Sequence, residues 1–307
     1  MRIAIIGAGI AGLAAAQALV ARQHRVTVFE RAQTPGGRAG TRVISAIELP
    51  RGLSGELAFD HGAQYFTVRD RRFAELAAEW ERDRVIAKWT GRIVAFDGEG
   101  WEDVAGGTAR YVGIPGMSAI ANAMAADLDV RFGHDVESPE SLLPDFDHVI
   151  VATPPVSTAR VSMKPCWTVM AAFEQPVTAR FDAAFVNGSA LSWIARNSSK
   201  PKRNWKIDTW VIHASTTWSE AHLDDRPDDV GAFLMEAFGD LIPAGLTRAF
   251  YAKVHLWRRA TADPPLAVGA IHDQLSKVTL CGDWCKGSRI EDAYLSGVDA
   301  ALLIPDP

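Results

Sequence analysis

The chain has 307 residues, 48% hydrophobic and 22% charged, with a formal net charge of −5. That is enough apolar material for one large core or two modest ones, and it excludes a disordered chain. The negative balance argues against non-specific nucleic-acid binding, and three cysteines make no disulfide framework.

Arg2 to Ile6 is a short apolar run suited to a buried parallel strand. Gly7, Gly9 and Gly12 follow, an Ala/Leu-rich helix runs from about Ile10 to Ala21, and Arg25 to Glu30 reads as a second strand. This is a complete βαβ unit, the context that makes a G-x-G-x-x-G pattern a dinucleotide fingerprint. The first glycine allows the tight turn, the second lets the backbone approach a pyrophosphate, and the third lets helix and strand pack closely. The helix N-terminus offers free N–H groups to the phosphates. Glu30 can accept hydrogen bonds from ribose hydroxyls and would repel a 2′-phosphate. Because the fingerprint starts at Arg2, the apolar N-terminus is not read as a signal peptide, and no other apolar run approaches the roughly 20 residues of a membrane span. A cytoplasmic protein with reduced thiols is expected; Cys281-Gly-Asp-Trp-Cys285 has the wrong spacing for zinc or redox chemistry.

After a Pro35-Gly36-Gly37-Arg38 loop, Phe59 to Phe66 reads as a strand and turn and Arg72 to Asp83 as an amphipathic helix burying Phe73, Leu76, Ala77 and Trp80. Ile93 to Phe96 and Trp101 to Val104 form a hairpin around Asp97-Gly98. Ser118 caps a helix through Leu128, Val130 to Val136 is a strand, and Asp147 to Ala152 is a buried strand closed by Thr153-Pro154-Pro155. From Val161 to Ala270 the texture changes to aromatic-containing strands (Trp167 to Phe173, Leu191 to Ala195, Trp210 to His213, Ala252 to Trp257) and a helix from Asp229 to Phe238. That is the pattern of a mostly antiparallel sheet. Val278 to Cys281 is a last strand and Glu291 to Leu303 a last helix. The expected fold class is α/β, with a parallel-sheet Rossmann-like nucleotide domain (1–66, 113–160 and 272–307) and a second α+β substrate domain (67–112 and 161–271).

Four segments narrow the nucleotide to FAD. Arg38 can reach back to the pyrophosphate. Leu280-Cys281-Gly282-Asp283-Trp284 resembles the late strand–Gly-Asp motif of glutathione-reductase-type FAD proteins, which implies that Asp283 accepts a ribityl hydroxyl and that the following helix points its N-terminus at the flavin, stabilising its anionic reduced form. Val130 to Val136 adds a strand near the adenine, and Val149 to Pro154 passes close to the cofactor. Asp60-His61-Gly62-Ala63-Gln64-Tyr65-Phe66-Thr67, Asn197-Ser198-Ser199-Lys200-Pro201, Trp218-Ser219 and His255-Leu256-Trp257-Arg258 resemble the renalase-like branch of the flavin amine oxidase superfamily over nearly the whole chain. The resemblance implies non-covalent FAD contacted by Ala11, Glu30, Arg38, Gln64, Tyr65, Val136 and Asp283; with them the expected cofactor site takes in the fingerprint glycines Gly7, Gly9 and Gly12, and Arg31, Gly37 and Gly282. The resemblance also implies oxidation of a dihydronicotinamide dinucleotide isomer by hydride transfer to flavin N5, with dioxygen reduced to hydrogen peroxide. The chain departs from that family in a short Val136 to Val149 connection and in Arg259, where an aromatic residue is expected.

No catalytic triad and no metal-ligand set is present in the pattern, so the flavin is expected to carry the chemistry, with positioning as the chain's part. Pocket candidates are Tyr65, Trp193, His255 and Trp257. Trp193, Trp257 and Trp284 read either as an aromatic wall or as core. His61 reads as a turn residue rather than a flavin attachment site, and Lys253 resembles the lysine that holds a water at N5 in amine oxidases. Lys200, Lys202, Arg203 and Lys206 read as a solvated loop, while Arg196 and Lys200 read either as solvated or as a site for a substrate phosphate. Amine oxidation is the alternative activity, and a flavin-binding redox sensor without turnover is the alternative of another class. No nucleic-acid or membrane partner is expected.

Overall fold

Arg2–Ile6 has no polar face, the mark of a strand covered on both sides. In the computed structural model, which describes residues 1–45, 49–104, 106–155 and 161–306, it lies inside a six-stranded sheet. Its parallel neighbours are Arg25–Glu30 and His148–Val151. Asp129–Phe132 extends the sheet beyond the first and Val278–Leu280 beyond the second, both parallel; Ile271–Asp273 closes that edge antiparallel. Helix Ile10–Ala21 packs against helix Ile290–Leu302. Gly297 permits the crossing, because a Cβ there would collide with the Ala11 carbonyl oxygen. Ile3, Ile5, Leu13, Leu19 and Val28 are fully buried between these layers.

The second sheet has seven strands, in the order Ala249–Ala262, Met163–Phe173, Asp208–Ala214, Leu191–Arg196, Ala183–Val186, Ile93–Phe96 and Trp101–Asp103. Only Ala183–Val186 and Ile93–Phe96 run parallel to one another. Helix Pro227–Asp240 covers one face, seating Val230, Leu234 and Phe238 against Phe173 and Trp210. The fold class is the expected one: a parallel Rossmann-type sheet beside an antiparallel sheet.

Several elements differ from expectation. The strand expected to reach Val136 stops at Phe132. Gly133 turns the chain at φ +72°, and His134 N–H then bonds back to the Glu30 carbonyl. Ser118 does not cap its helix. It is the first residue of Ser118–Ala125, and the entry to that helix is held from outside: the N–H of Met117, the residue before it, by Asp60 Oδ1 (2.9 Å) and the Ser118 N–H by Thr41 Oγ1 (3.1 Å). Strand Ala183–Val186 carries no period that marks it in isolation; its pairing with Ile93–Phe96 makes it a strand. Helix Arg71–Arg82 buries Phe73, Ala77 and Trp80 under an Asp70 cap. The expected boundary at residue 160 lies outside the described residues. Among those described, no helix is long and apolar enough to cross a membrane.

Candidate functional site

The strand–helix turn is built as its glycines demand. Gly7 has φ +104° and its N–H bonds to the Phe29 carbonyl at 2.8 Å. A side chain on Gly12 would strike the Gly7 carbonyl oxygen, so that glycine serves packing within the turn. Gly9 is different: a Cβ there meets nothing within 4 Å. It precedes helix Ile10–Ala21, which has neither a side-chain cap nor an acidic residue in its first turn. A cradle open at Gly9, facing unpartnered helix N–H groups, is the shape and polarity a diphosphate requires, and these residues fit FAD.

Glu30 stands at the end of the second strand. Its Oε2 accepts Ala8 N–H at 2.8 Å and its Oε1 accepts Ala32 N–H at 2.9 Å. Each oxygen keeps a lone pair for a ribose hydroxyl. Glu30→Ala is therefore expected to weaken FAD binding about tenfold while leaving the isoalloxazine spectrum of the bound fraction unchanged. Equilibrium dialysis with absorbance spectra reads both quantities.

Arg38 and Asp283, expected at different parts of the cofactor, lie against each other. Arg38 Nη2 meets Asp283 Oδ1 at 2.5 Å, Nη1 meets Oδ2 at 3.0 Å, and Nη1 also bonds the Ala260 carbonyl at 2.8 Å. Gly282 holds the preceding turn at φ +153°, where a side chain would collide with the Trp284 ring. Ala11 is buried, Val136 packs with Phe146 and Val149 on the sheet, and Arg31 and Gly37 are exposed. The helix end expected to face the flavin is not a bare positive pole. A four-residue helix, Asp283–Lys286, intervenes, and Ile290–Leu302 carries Glu291 and Asp292 in its first turn. Glu291 is itself engaged by the N–H groups of Arg69 and Asp70.

Ala63 N–H bonds to the Arg38 carbonyl at 2.9 Å, joining the Gly-Gly-Arg loop to the Gly62–Tyr65 segment. That segment forms one wall of a cleft of about 350 Å³, lined by Gly62, Gln64, Tyr65, Phe185, Ser192, Trp193 and His213. Trp193 is central. Its ring lies 5.5 Å from Tyr65 and 4.7 Å from Phe185, and its buried Nε1 has no acceptor among the described residues. Sequence reasoning selected Tyr65 and Trp193 but missed Phe185, Ser192 and His213. Ser192 and His213 sit on neighbouring strands, a relation that exists only once Leu191–Arg196 pairs with Asp208–Ala214.

Behind the cleft, Asp60 is wholly buried. It accepts from Thr41 Oγ1 (2.7 Å), Met117 N–H (2.9 Å), Lys200 Nζ (3.1 Å) and Arg203 Nη2 (2.6 Å). Lys200 also donates to Gln64 Oε1 at 3.2 Å, while Gln64 Nε2 is committed to the carbonyls of Asp60 and Gly62. Lys200 and Arg203 are thus no solvated loop: both are buried and hold a buried carboxylate between them, and Lys200 is turned to Asp60 and Gln64 rather than to solvent. Arg196 is taken by Asp208 at 2.8 Å and the Val177 carbonyl at 2.7 Å. Lys253 is exposed, on the same strand face as His255 and Trp257. Trp284 packs with Val161 and Met163 in a separate cluster, outside the cleft lining. Arg259 reaches the Pro154 carbonyl from an exposed position.

His255 and Trp257 back the same segment rather than line the cleft. Trp257 Nε1 donates to the His61 carbonyl at 3.0 Å, and the His61, His255 and Trp257 rings pack within 5.1 Å of one another. Burial pushes His61 and His213 down to about 4. A histidine buried neutral binds fewer protons in the folded chain than in the unfolded one between its folded value and the ordinary 6.5. Stability is therefore expected to fall as pH drops from 6.5 toward about 4. Melting temperatures across that range check this, and His213→Asn should flatten the slope.

Residues 5–80 match the family model described as an NAD(P)-binding Rossmann-like domain. Phytoene dehydrogenase of Streptomyces griseus is 41% identical over 80 residues, 26% of this chain and 14% of that protein. The neurosporene-forming phytoene desaturase of Rhodobacter capsulatus is 43% identical over 82 residues, 27% of this chain and 14% of that protein. The chain thus spans 8–14% of the length of the curated relatives it matches. Cyclohexylamine oxidase from Brevibacterium oxydans superimposes with a TM-score of 0.68 over 98% of each chain, at 13% identity. The fold is that of the flavin amine oxidases. In it, the glycine turn belongs to the Rossmann half and the aromatic cleft reaches into the antiparallel half.

Proposed function

We propose that this chain is an FAD-dependent oxidoreductase that oxidises a dihydronicotinamide dinucleotide isomer, with dioxygen as the electron acceptor. One observation carries the reading: the Gly62–Tyr65 segment hangs from the Arg38 carbonyl of the nucleotide loop and forms a wall of the aromatic cleft. In this reading the nucleotide domain spans 1–66, 113–160 and 272–307, and the substrate domain spans 67–112 and 161–271.

FAD, held non-covalently, supplies the two-electron oxidation. The chain's residues bind and position. The open N-terminus of helix Ile10–Ala21 and the Arg38 guanidinium take the diphosphate, Glu30 the ribose hydroxyls and Asp283 the ribityl chain. Tyr65, Phe185 and Trp193 hold a flat ring by stacking. A dihydropyridine loses hydride without a protein base, and the described lining offers only a weak one: burial pushes His213 down to about 4, and the Gln64 amide nitrogen is fully committed as a donor. Orientation is then the chain's main contribution.

Amine oxidation is the second reading, favoured by the fold shared with putrescine oxidase and cyclohexylamine oxidase. Anaerobic mixing of the FAD-loaded protein with isomeric dihydro-NAD, ordinary NADH and a panel of amines separates the readings. Rapid bleaching by the isomer is the expected result. Bleaching by an amine alone supports the second reading, and bleaching by none supports a flavin-binding redox sensor.

A further inference from the structure

The cleft has a one-sided charge environment. No carboxylate is among the described residues that line it. Behind the Gln64 wall, Lys200 and Arg203 share the single carboxylate of Asp60, so that buried group holds one positive charge in excess. Arg110 stands by the Tyr65 wall. The antiparallel bridge between Phe66 and Tyr111 sets it diagonally across from Tyr65, and its Cζ lies 5.5 Å from the centre of the Tyr65 ring. Arg110 is half-buried, and its guanidinium makes no hydrogen bond or ion pair among the described residues. The aromatic face steadies the cation without using its N–H groups, which leaves a planar five-donor fork free beside the cleft.

We propose that Arg110 is the anion anchor of the cleft, holding a phosphate or carboxylate of a substrate whose flat ring is held by Tyr65, Phe185 and Trp193. The inference rests on reading the cleft as the substrate site. An alkylammonium would find no counter-charge there and a surplus of its own sign around it.

Three unreactive probes test this on the FAD-loaded protein: nicotinamide mononucleotide carries a phosphate, nicotinic acid riboside a carboxylate, and nicotinamide riboside neither. Binding is read from tryptophan fluorescence, independently of turnover. At least one anionic probe is expected to bind about tenfold more tightly than nicotinamide riboside, the scale of a charge-assisted contact. Whichever does so identifies the source of the anion. Arg110→Ala should erase that difference and Arg110→Lys should restore part of it. Equal affinity for all three probes in the wild type, or saturable binding of none, overturns the proposal. So does an equal loss of nicotinamide riboside binding in Arg110→Ala, which would mark a structural role. Flavin bleaching by a dihydronicotinamide with no Arg110 effect sinks the anchor alone; Arg110-dependent probe binding without bleaching sinks the reaction alone.

Discussion

Asp60→Asn is expected to destabilise the protein by about 3–5 kcal/mol, the range for breaking a buried ion pair from one side. The substitution keeps the volume and removes the charge. It leaves Lys200 and Arg203, whose side chains are 0% and 2% exposed, facing each other without a carboxylate. It also weakens the acceptor for Thr41 and for the Met117 N–H that precedes helix Ser118–Ala125, so the damage spreads into the nucleotide half. Urea unfolding monitored by tryptophan fluorescence measures the loss. Lys200→Met in the Asp60→Asn background should recover part of it, because the two sites touch and their effects do not add.

The pH response of this cluster has a definite sign. Burial lowers Lys200 from 10.5 to about 8, so between those values the folded chain binds fewer protons than the unfolded one, and stability rises with pH. Lys200 and Arg203 hold Asp60 far below the ordinary carboxylate range; its contribution is present above the unfolded value and fades as acid protonates it. In Asp60→Asn the favourable neighbour of Lys200 is gone. Its proton then leaves at lower pH, and the variant should regain stability on raising the pH from neutrality more steeply than the wild type. A variant whose unfolding midpoint equals the wild type's at pH 7 would contradict this account of the cluster.

The legible parts of the sequence were those with local causes. Arg2–Ile6, Ile10–Ala21 and Arg25–Glu30 come out at the residues expected, because one glycine pattern and two apolar runs specify them without help from the rest of the chain. The Asp97-Gly98 hairpin is equally local: the Asp97 carboxylate accepts the N–H groups of Glu99 and Gly100. What stayed hidden depends on distant partners. Lys200, Lys202, Arg203 and Lys206 look alike in sequence, yet only Lys200 and Arg203 are buried, because Asp60 lies 140 and 143 positions away in the chain but within hydrogen-bond reach. Phe185 and His213 carry no motif, and sheet pairing alone brings them to Tyr65.

Arg38→Ala should cost the protein most of its bound FAD. Arg38 is the one guanidinium in the Gly-Gly-Arg loop, held in a two-pronged pair with Asp283 and anchored on the Ala260 carbonyl. Removing it deletes a charged donor set worth about 1.5–3 kcal/mol, which corresponds to roughly 10- to 150-fold weaker binding. It also strips the counter-charge from Asp283, whose side chain is 10% exposed, so a carboxylate would face a diphosphate without a cation between them. Arg38→Lys should lie between, since an ammonium restores the charge but not the fork. Asp283→Asn should weaken binding less than Arg38→Ala, because the guanidinium it frees still serves the diphosphate. The double variant should lose less than the sum of the two single losses, as expected for residues that share a contact. Ultrafiltration followed by flavin fluorescence of the filtrate gives all four dissociation constants. Full occupancy of Arg38→Ala after exhaustive dialysis would remove Arg38 from the diphosphate site and leave its pairing with Asp283 as a purely structural tie between the glycine loop and the late strand.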